Sequence, residues 1–411
     1  MFKKMLKNKV ILITLVDQAL VSGSNFFLSI FILRFFGAEV FGIFSFLWLF
    51  ILFFNSVQLS LIISPMMSNF SKQDKENKDL FIGSLFSHQI IFCFCFGTLL
   101  ILSINVIGKT FNYFDISSFK FSILFLFIFI QLQQFFRRLS FLIKNYFKAL
   151  ISDLISYSIL LILIIFFEIN KSLKLDSLIW ILSASYFFGT IIFISNIFKF
   201  KINFLNCLNS FFTNWKISKW LFLTSLLQWL SGNLWIINTG IILGPYALGV
   251  LRACQTIINI TNLAFQSFEN FFPTKFSDIY VYKGKKLLND YFLKFIKNGF
   301  KYVLIIIFII IIFSKKILML VYGIEISQHS KILIYLSLIL PITFVMFPLN
   351  YFLRTLDKTK SIFVGYSFST LFAFLFSNYI ISKFDIMGTV LGLFFSSTII
   401  LFITFYSYKK I

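Results

Sequence analysis

Acidic residues are scarce in this chain of 411 residues, which has 15 Asp and Glu against 37 Lys and Arg. Only 13% of the residues are charged, whereas 59% are hydrophobic and 21% are aromatic. Soluble domains contain about 25% charged residues, so the composition excludes a soluble protein and indicates an integral membrane protein. A net charge of +22 would suggest nucleic acid in a soluble protein, but most basic residues here lie between apolar segments. We expect no nucleic-acid partner.

Side chains that commonly carry chemistry are also few. The two His and four Cys residues have no metal-ligand spacing, and the sequence contains neither a Ser-His-Asp arrangement nor a phosphate-binding GxxxxGK[ST] loop. The connections between apolar segments are too short for a soluble catalytic domain. We therefore predict a transporter rather than an enzyme, with no catalytic residue, no metal and no cofactor.

Apolar stretches long enough to cross about 30 Å of hydrocarbon recur along the chain. We predict twelve transmembrane helices, at residues 10–33, 40–63, 80–107, 119–143, 149–168, 177–198, 219–244, 246–271, 297–318, 330–353, 361–382 and 387–408. With both termini in the cytoplasm, most Lys and Arg residues fall in cytoplasmic connections. The positive-inside rule therefore predicts that orientation.

The polar segment at residues 201–218 separates two sets of six predicted helices. We predict an N-terminal six-helix bundle over 1–200, a cytoplasmic linker over 201–218 and a C-terminal six-helix bundle over 219–411. The halves align so that Gly37 corresponds to Gly244 and Gly42 to Gly249. Such a repeat predicts parallel bundles, an arrangement used by alternating-access transporters.

The eighth predicted helix carries the most specific polar pattern. Six polar residues recur at steps of three or four, which places them on one helix face: Arg252, Gln255, Asn259, Asn262, Gln266 and Glu269. Facing lipid would be costly, since a central Arg alone costs about 2.5–3.5 kcal/mol. The face either lines a substrate cavity or hydrogen-bonds neighbouring helices.

Further polar residues extend this pattern to other predicted helices. The candidate cavity residues are the first five residues of that face and five residues on other helices: Asn25, Asn55, Gln228, Arg137 and Arg138. Asp17 and Glu269 are candidates for ion coupling, because an intramembrane acid commonly marks an ion pathway. Two alternatives remain open: Asp17 pairs structurally with a Lys or Arg, and Arg137 and Arg138 anchor the helix at the cytoplasmic surface.

Three segments carry a family resemblance: DQALVSGSNFF at 17–27, LRFFGAEVFGIFS at 33–45 and LGPYALGVLRACQ at 243–255. They resemble polysaccharide biosynthesis exporters, the O-antigen and capsule repeat-unit flippase branch of the MATE-like superfamily. The resemblance implies an all-α polytopic membrane protein with two six-helix bundles in a V-shaped, MATE-like transporter. Family members generally have a cationic central cavity, which agrees with Arg252.

The same resemblance implies a function. We expect alternating-access translocation of undecaprenyl-diphosphate-linked oligosaccharide units across the bacterial inner membrane for O-antigen, capsule or other surface polysaccharide synthesis. A proton or sodium gradient would drive it, with a polysaccharide polymerase and glycosyltransferases as partners. The alternatives are a multidrug or cation antiporter, a lipid II-type flippase and, less favoured, a membrane polysaccharide polymerase.

Overall fold

Long apolar helices make up most of the protein, as seen in a computed structural model. The structure describes residues 9–70, 77–110, 116–170, 172–197, 200–201 and 203–410, and the described ranges contain no β-strand. Within the helices the description leaves out some side chains, including those of residues 262–271.

The α-helices are numbered here in chain order. They are α1 (Lys9–Gln58), α2 (Ser64–Asn69), α3 (Lys78–Thr110), α4 (Lys120–Leu142), α5 (Tyr146–Ile169), α6 (Leu175–Ile191), α7 (Ile194–Ile197), α8 (Phe204–Tyr322), α9 (Ile324–Ser327), α10 (Ser330–Ser337), α11 (Leu340–Thr355) and α12 (Thr359–Lys409). A π-helical turn, Leu59–Ile63, joins α1 to α2, and a 3₁₀ turn, Ile116–Phe119, precedes α4.

Within the described ranges, eight helical segments are long and apolar enough to cross a membrane, and α6 is a shorter apolar helix. Non-helical backbone at Gly37, Gly244, Gly284 and Asp385 divides four of the eight. Counted with α6 and without the short segment 275–283 before Gly284, division at these points yields twelve apolar helical segments, which agrees with the number predicted. The predicted linker is helical from Phe204 onward, because it forms the first turns of α8.

Contacts divide the protein into two compact units. Among the described residues, unit 1 comprises 9–27 and 47–226, and unit 2 comprises 28–46 and 227–410. The units do not coincide with the predicted bundles, since residues 28–46 pack with unit 2. The boundaries predicted for the two bundles and the linker stay a prediction.

Aromatic side chains form much of each core. In unit 1, Phe54 and Phe127 meet edge to face with ring centroids 5.1 Å apart. In unit 2, Phe272 and Phe276 are fully buried in a cluster of apolar side chains, and Trp235 donates a hydrogen bond to Ser396 Oγ at 2.9 Å. Each aromatic ring buries a large apolar area, so the packing of these rings holds the helices of each unit together.

Two pairs of glycines show the same local structure in the two halves of the chain. Gly37 has φ 85° and ψ 175°, and Gly244 has φ 86° and ψ 175°, a conformation that glycine adopts without steric cost. A Cβ atom on Gly42 would overlap the carbonyl oxygen of Pro245, and one on Gly249 would overlap that of Ala38. The contact is reciprocal, so the predicted correspondence of these glycines is confirmed.

Candidate functional site

A buried ionic group lies in unit 1, where α1, α4 and α5 meet. Arg137 Nη2 on α4 lies 2.5 Å from Asp17 Oδ2 on α1, and Arg137 Nε lies 2.9 Å from Asp153 Oδ2 on α5. The three residues are 8%, 2% and 3% exposed, respectively. We call this set the acid–arginine group.

Neighbouring polar side chains hold the acid–arginine group in place. Gln133 Nε2, one turn before Arg137, donates to Asp153 Oδ1 at 3.2 Å and also contacts the hydroxyls of Ser152 and Ser156 at 2.9 Å. Gly189 on α6 permits this packing, because a Cβ atom there would overlap Ser156 Oγ and crowd Gln133. Asp153 is thereby fixed by hydrogen bonds as well as by the guanidinium.

The acid–arginine group contains two carboxylates and one guanidinium. Asp17 Oδ1 is buried and accepts no hydrogen bond from the residues that the structure describes, and the ion pair with Arg137 Nε is the contact that the structure describes for Asp153 Oδ2. The carboxyl groups of Asp17 and Asp153 are also close enough to interact electrostatically with each other. With both acids ionised the group would carry a net negative charge in a low-dielectric site, which is costly. Binding of one proton or one monovalent cation would neutralise it.

A network of amide side chains links α1, α3 and α4 in the same unit. Gln58 Nε2 donates to Gln89 Oε1 at 2.8 Å and to the carbonyl oxygen of Gln131 at 2.6 Å. Gln131 Nε2 donates to Asn55 Oδ1 at 2.6 Å. Asn55, a predicted cavity residue, is therefore held by a neighbouring helix, and its cavity role stays a prediction.

Arg252 in unit 2 has a different environment from Arg137. It is half-buried on α8, and its Nη1 donates to Gln255 Oε1 at 3.1 Å. Among the described residues no carboxylate lies within ion-pair distance of it, since both ion pairs found there belong to Arg137. Gln255 is thus the side-chain partner that the structure describes for this guanidinium.

The structure brings together only part of the predicted site. Asp17 joins Arg137 in unit 1, and Arg252 joins Gln255 in unit 2. Three other predicted residues, Asn25, Gln228 and Asn259, are exposed in their own units, and Arg138 is half-buried. The side chains of Asn262, Gln266 and Glu269 lie outside the described residues.

Several members of the polar sites were not predicted from the sequence, among them the following three. Asp153, Gln133 and Gln89 are buried and hydrogen-bonded, yet none was predicted as a site residue. The available signal was their polarity within apolar segments, since a buried polar group requires a partner. Their partners lie on other helices, so spacing along the chain could not reveal them.

Comparison with known proteins identifies the fold. Residues 221–380 match the family model described as MatE. No curated protein matches the sequence. Among solved structures, a lipid II flippase MurJ in an inward closed conformation is 17% identical, with 97% of this chain and 87% of that chain covered and a TM-score of 0.75.

Two transporters of the MOP superfamily extend this comparison. An inward-facing multidrug resistance MATE family transporter is 13% identical over 98% of both chains, with a TM-score of 0.76. A transporter from Pyrococcus furiosus, with a binding pocket of reverse polarity, is 14% identical over 97% of this chain and 91% of that chain, with a TM-score of 0.61. The prediction of an all-α, multi-pass membrane protein with a MATE-like transporter fold is confirmed.

Proposed function

We propose that this chain translocates undecaprenyl-diphosphate-linked oligosaccharide units across the bacterial inner membrane, as an ion-coupled flippase for surface polysaccharide synthesis. The observation that carries the proposal is Arg252, a guanidinium within an apolar helix that has an amide partner and no described acidic partner. An intramembrane charge of this kind marks a functional site by default.

A diphosphate is the ligand chemistry that suits Arg252. Guanidinium is permanently charged and offers a planar fork of donors that matches phosphate oxygens. Arg137 is less suited to this role, because Asp17 and Asp153 already balance its charge. Arg252 therefore binds the diphosphate of the carrier lipid, and Gln255 orients the guanidinium.

The acid–arginine group is proposed as the ion-coupling site. It holds one more carboxylate than cation, and Asp17 Oδ1 is buried without a hydrogen-bond donor among the described residues. A proton or sodium ion that binds there would change the local charge, and such a change can drive a conformational equilibrium. The gradient of that ion across the membrane then supplies the free energy for translocation.

Similarity to the lipid II flippase supports a lipid-linked substrate, since the fold is shared over nearly the whole chain. The proposed orientation has both termini in the cytoplasm, and the proposed partners are the glycosyltransferases and polymerase that make and consume the repeat unit.

A multidrug or cation antiporter is the second candidate function. The acid–arginine group favours it, because a buried excess of carboxylate attracts cations, and the fold is shared with a multidrug resistance transporter. Arg252 distinguishes the two functions, because its guanidinium would repel a cationic drug and attract a diphosphate.

Deletion of the gene and its replacement by variants test the proposal. We expect deletion to abolish surface polysaccharide and to trap single lipid-linked repeat units on the cytoplasmic face. Arg252→Ala should reproduce this loss with normal membrane insertion, whereas Arg252→Lys should restore export in part, because the charge remains without the planar fork. Surface polymer and lipid-linked intermediates are measured by gel electrophoresis and mass spectrometry.

Arg354→Ala is the matched control, because Arg354 is exposed and stacks on Tyr351 at the end of α11. It should export normally. Normal polymer in Arg252→Ala cells would contradict the role of Arg252. Repeat units that reach the outer face without polymerisation would show that the chain acts after translocation, as a polymerase does.

A further inference from the structure

A polar cleft in unit 1 lies between α2, the start of α3 and the first turns of α8, and none of the acid–arginine residues lines it. Its volume is about 600 Å³, which falls within the range of small-molecule sites. Five asparagines line it: Asn69, Asn77, Asn206, Asn209 and Asn214. Hydroxyl side chains complete the polar part of the lining, Leu80 and Phe81 form an apolar part, and none of the described lining residues is charged. We call it the asparagine cleft.

Asn214 indicates that the cleft binds something. Its side chain is buried, with 4% of the residue exposed, and its Oδ1 accepts a hydrogen bond from Asn69 Nδ2 at 2.9 Å. Its own Nδ2 is buried and has no hydrogen-bond partner among the described residues. Asn214 lines both this cleft and a neighbouring apolar cavity. Buried donors are rarely left without an acceptor, and an occupant on the polar side could supply one.

The α8 segment that carries most of these residues is amphipathic. Asn206, Asn209 and Thr213 recur at steps of three and four and face the asparagine cleft. Leu208, Phe211 and Trp215 lie on another face and line an apolar cavity of about 480 Å³ with residues of α3.

A helix with one amide face and one aromatic face suits the boundary between headgroups and hydrocarbon, and Trp is enriched at that boundary. The positive-inside rule assigns this end of unit 1 to the cytoplasm. The asparagine cleft therefore opens at the level of lipid headgroups on the side where a lipid-linked precursor is made.

The lining chemistry selects a neutral, polyhydroxylated ligand. Each Asn amide has two N–H donors and an acceptor oxygen, and each sugar hydroxyl both donates and accepts. A phosphate or carboxylate is instead bound most strongly by Lys or Arg. We propose that the asparagine cleft binds sugar hydroxyls of the substrate's oligosaccharide, as a recognition site separate from the diphosphate site at Arg252. This inference rests on the proposed function.

Binding measurements on the full chain in lipid nanodiscs test the inference. The two probes are undecaprenyl diphosphate and undecaprenyl diphosphate that carries a neutral disaccharide. We expect the wild-type chain to bind the sugar-bearing probe more tightly. Asn209→Ala removes an exposed lining amide and should weaken binding of that probe by about three- to tenfold, as expected for one or two lost hydrogen bonds. Binding of the sugar-free probe should be unchanged.

Asn214→Leu should have the same selective effect, with folding checked by thermal denaturation because Asn214 is buried. Asn170→Ala, an exposed amide change elsewhere in unit 1, is the matched control and should bind both probes like wild type. Equal binding of the two probes by wild type, or an Asn209→Ala variant that keeps the full preference, would overturn the inference alone. Failure of wild type to bind either probe would overturn the proposed function with it.

Discussion

Arg137 and Arg252 are the same residue type in two different electrostatic environments. Two carboxylates surround Arg137, so its charge is neutralised within unit 1. Arg252 has only an amide partner among the described residues. Removing one member of a buried ion pair leaves an uncompensated charge and typically costs 3–5 kcal/mol, whereas an incompletely paired guanidinium is available to a ligand.

Asp17→Asn tests the coupling role at the residue scale. The variant should fold, because Arg137 retains Asp153, and it should lose stimulation of transport by an ion gradient, because the group no longer carries excess negative charge. The measurement is translocation of a fluorescent lipid-linked oligosaccharide in liposomes with imposed proton or sodium gradients.

Asp176→Asn is the control for this variant, since Asp176 accepts a hydrogen bond from Ser122 Oγ at 2.8 Å near the start of α6. It should keep the wild-type response to the gradient. Equal gradient stimulation in Asp17→Asn and wild type would show that Asp17 has no coupling role.

At the scale of elements, the breaks in α1 and α8 determine how the helical segments that follow them pack together. Gly37 and Gly244 interrupt apolar runs that would otherwise continue as single long helices. The segments that follow them approach so closely at Gly42 and Gly249 that no side chain fits. This contact lies within unit 2 and joins residues 28–46 to the rest of that unit.

Gly42→Ala should therefore destabilise the protein by about 1–3 kcal/mol, the usual cost of overpacking. Gly232→Ala should not, because a Cβ atom there meets nothing within 4 Å and Ala is the better helix former. The apparent midpoint of thermal denaturation in detergent distinguishes them. A Gly42→Ala midpoint equal to that of Gly232→Ala would contradict the close approach.

At the scale of the whole molecule, the distribution of Lys and Arg predicts the orientation in the membrane. A fluorescent protein fused after residue 410 should fluoresce, because it folds in the cytoplasm. Alkaline phosphatase inserted in the connection at 172–174 should be active outside, whereas the same insertion at 144–145 should be inactive. Activities with the opposite pattern would reverse the orientation and, with it, the side assigned to the asparagine cleft.

The sequence by itself determined the properties that depend on local composition. Apolar length predicts the membrane-spanning helices, and the glycines at 37 and 244 predict their breaks, because hydrophobic burial and backbone freedom act over a few residues. The polar face of α8 was likewise readable from spacing alone.

Only the tertiary structure decided how the polar residues pair. Asp17 and Arg137 are 120 residues apart in the chain, and their contact depends on how α1 packs against α4. That packing balances the charge of Arg137 within unit 1, and the approach of α2 to α8 brings Asn69 to Asn214 in the asparagine cleft. Such pairings follow from the relative positions of whole helices, which no local pattern specifies.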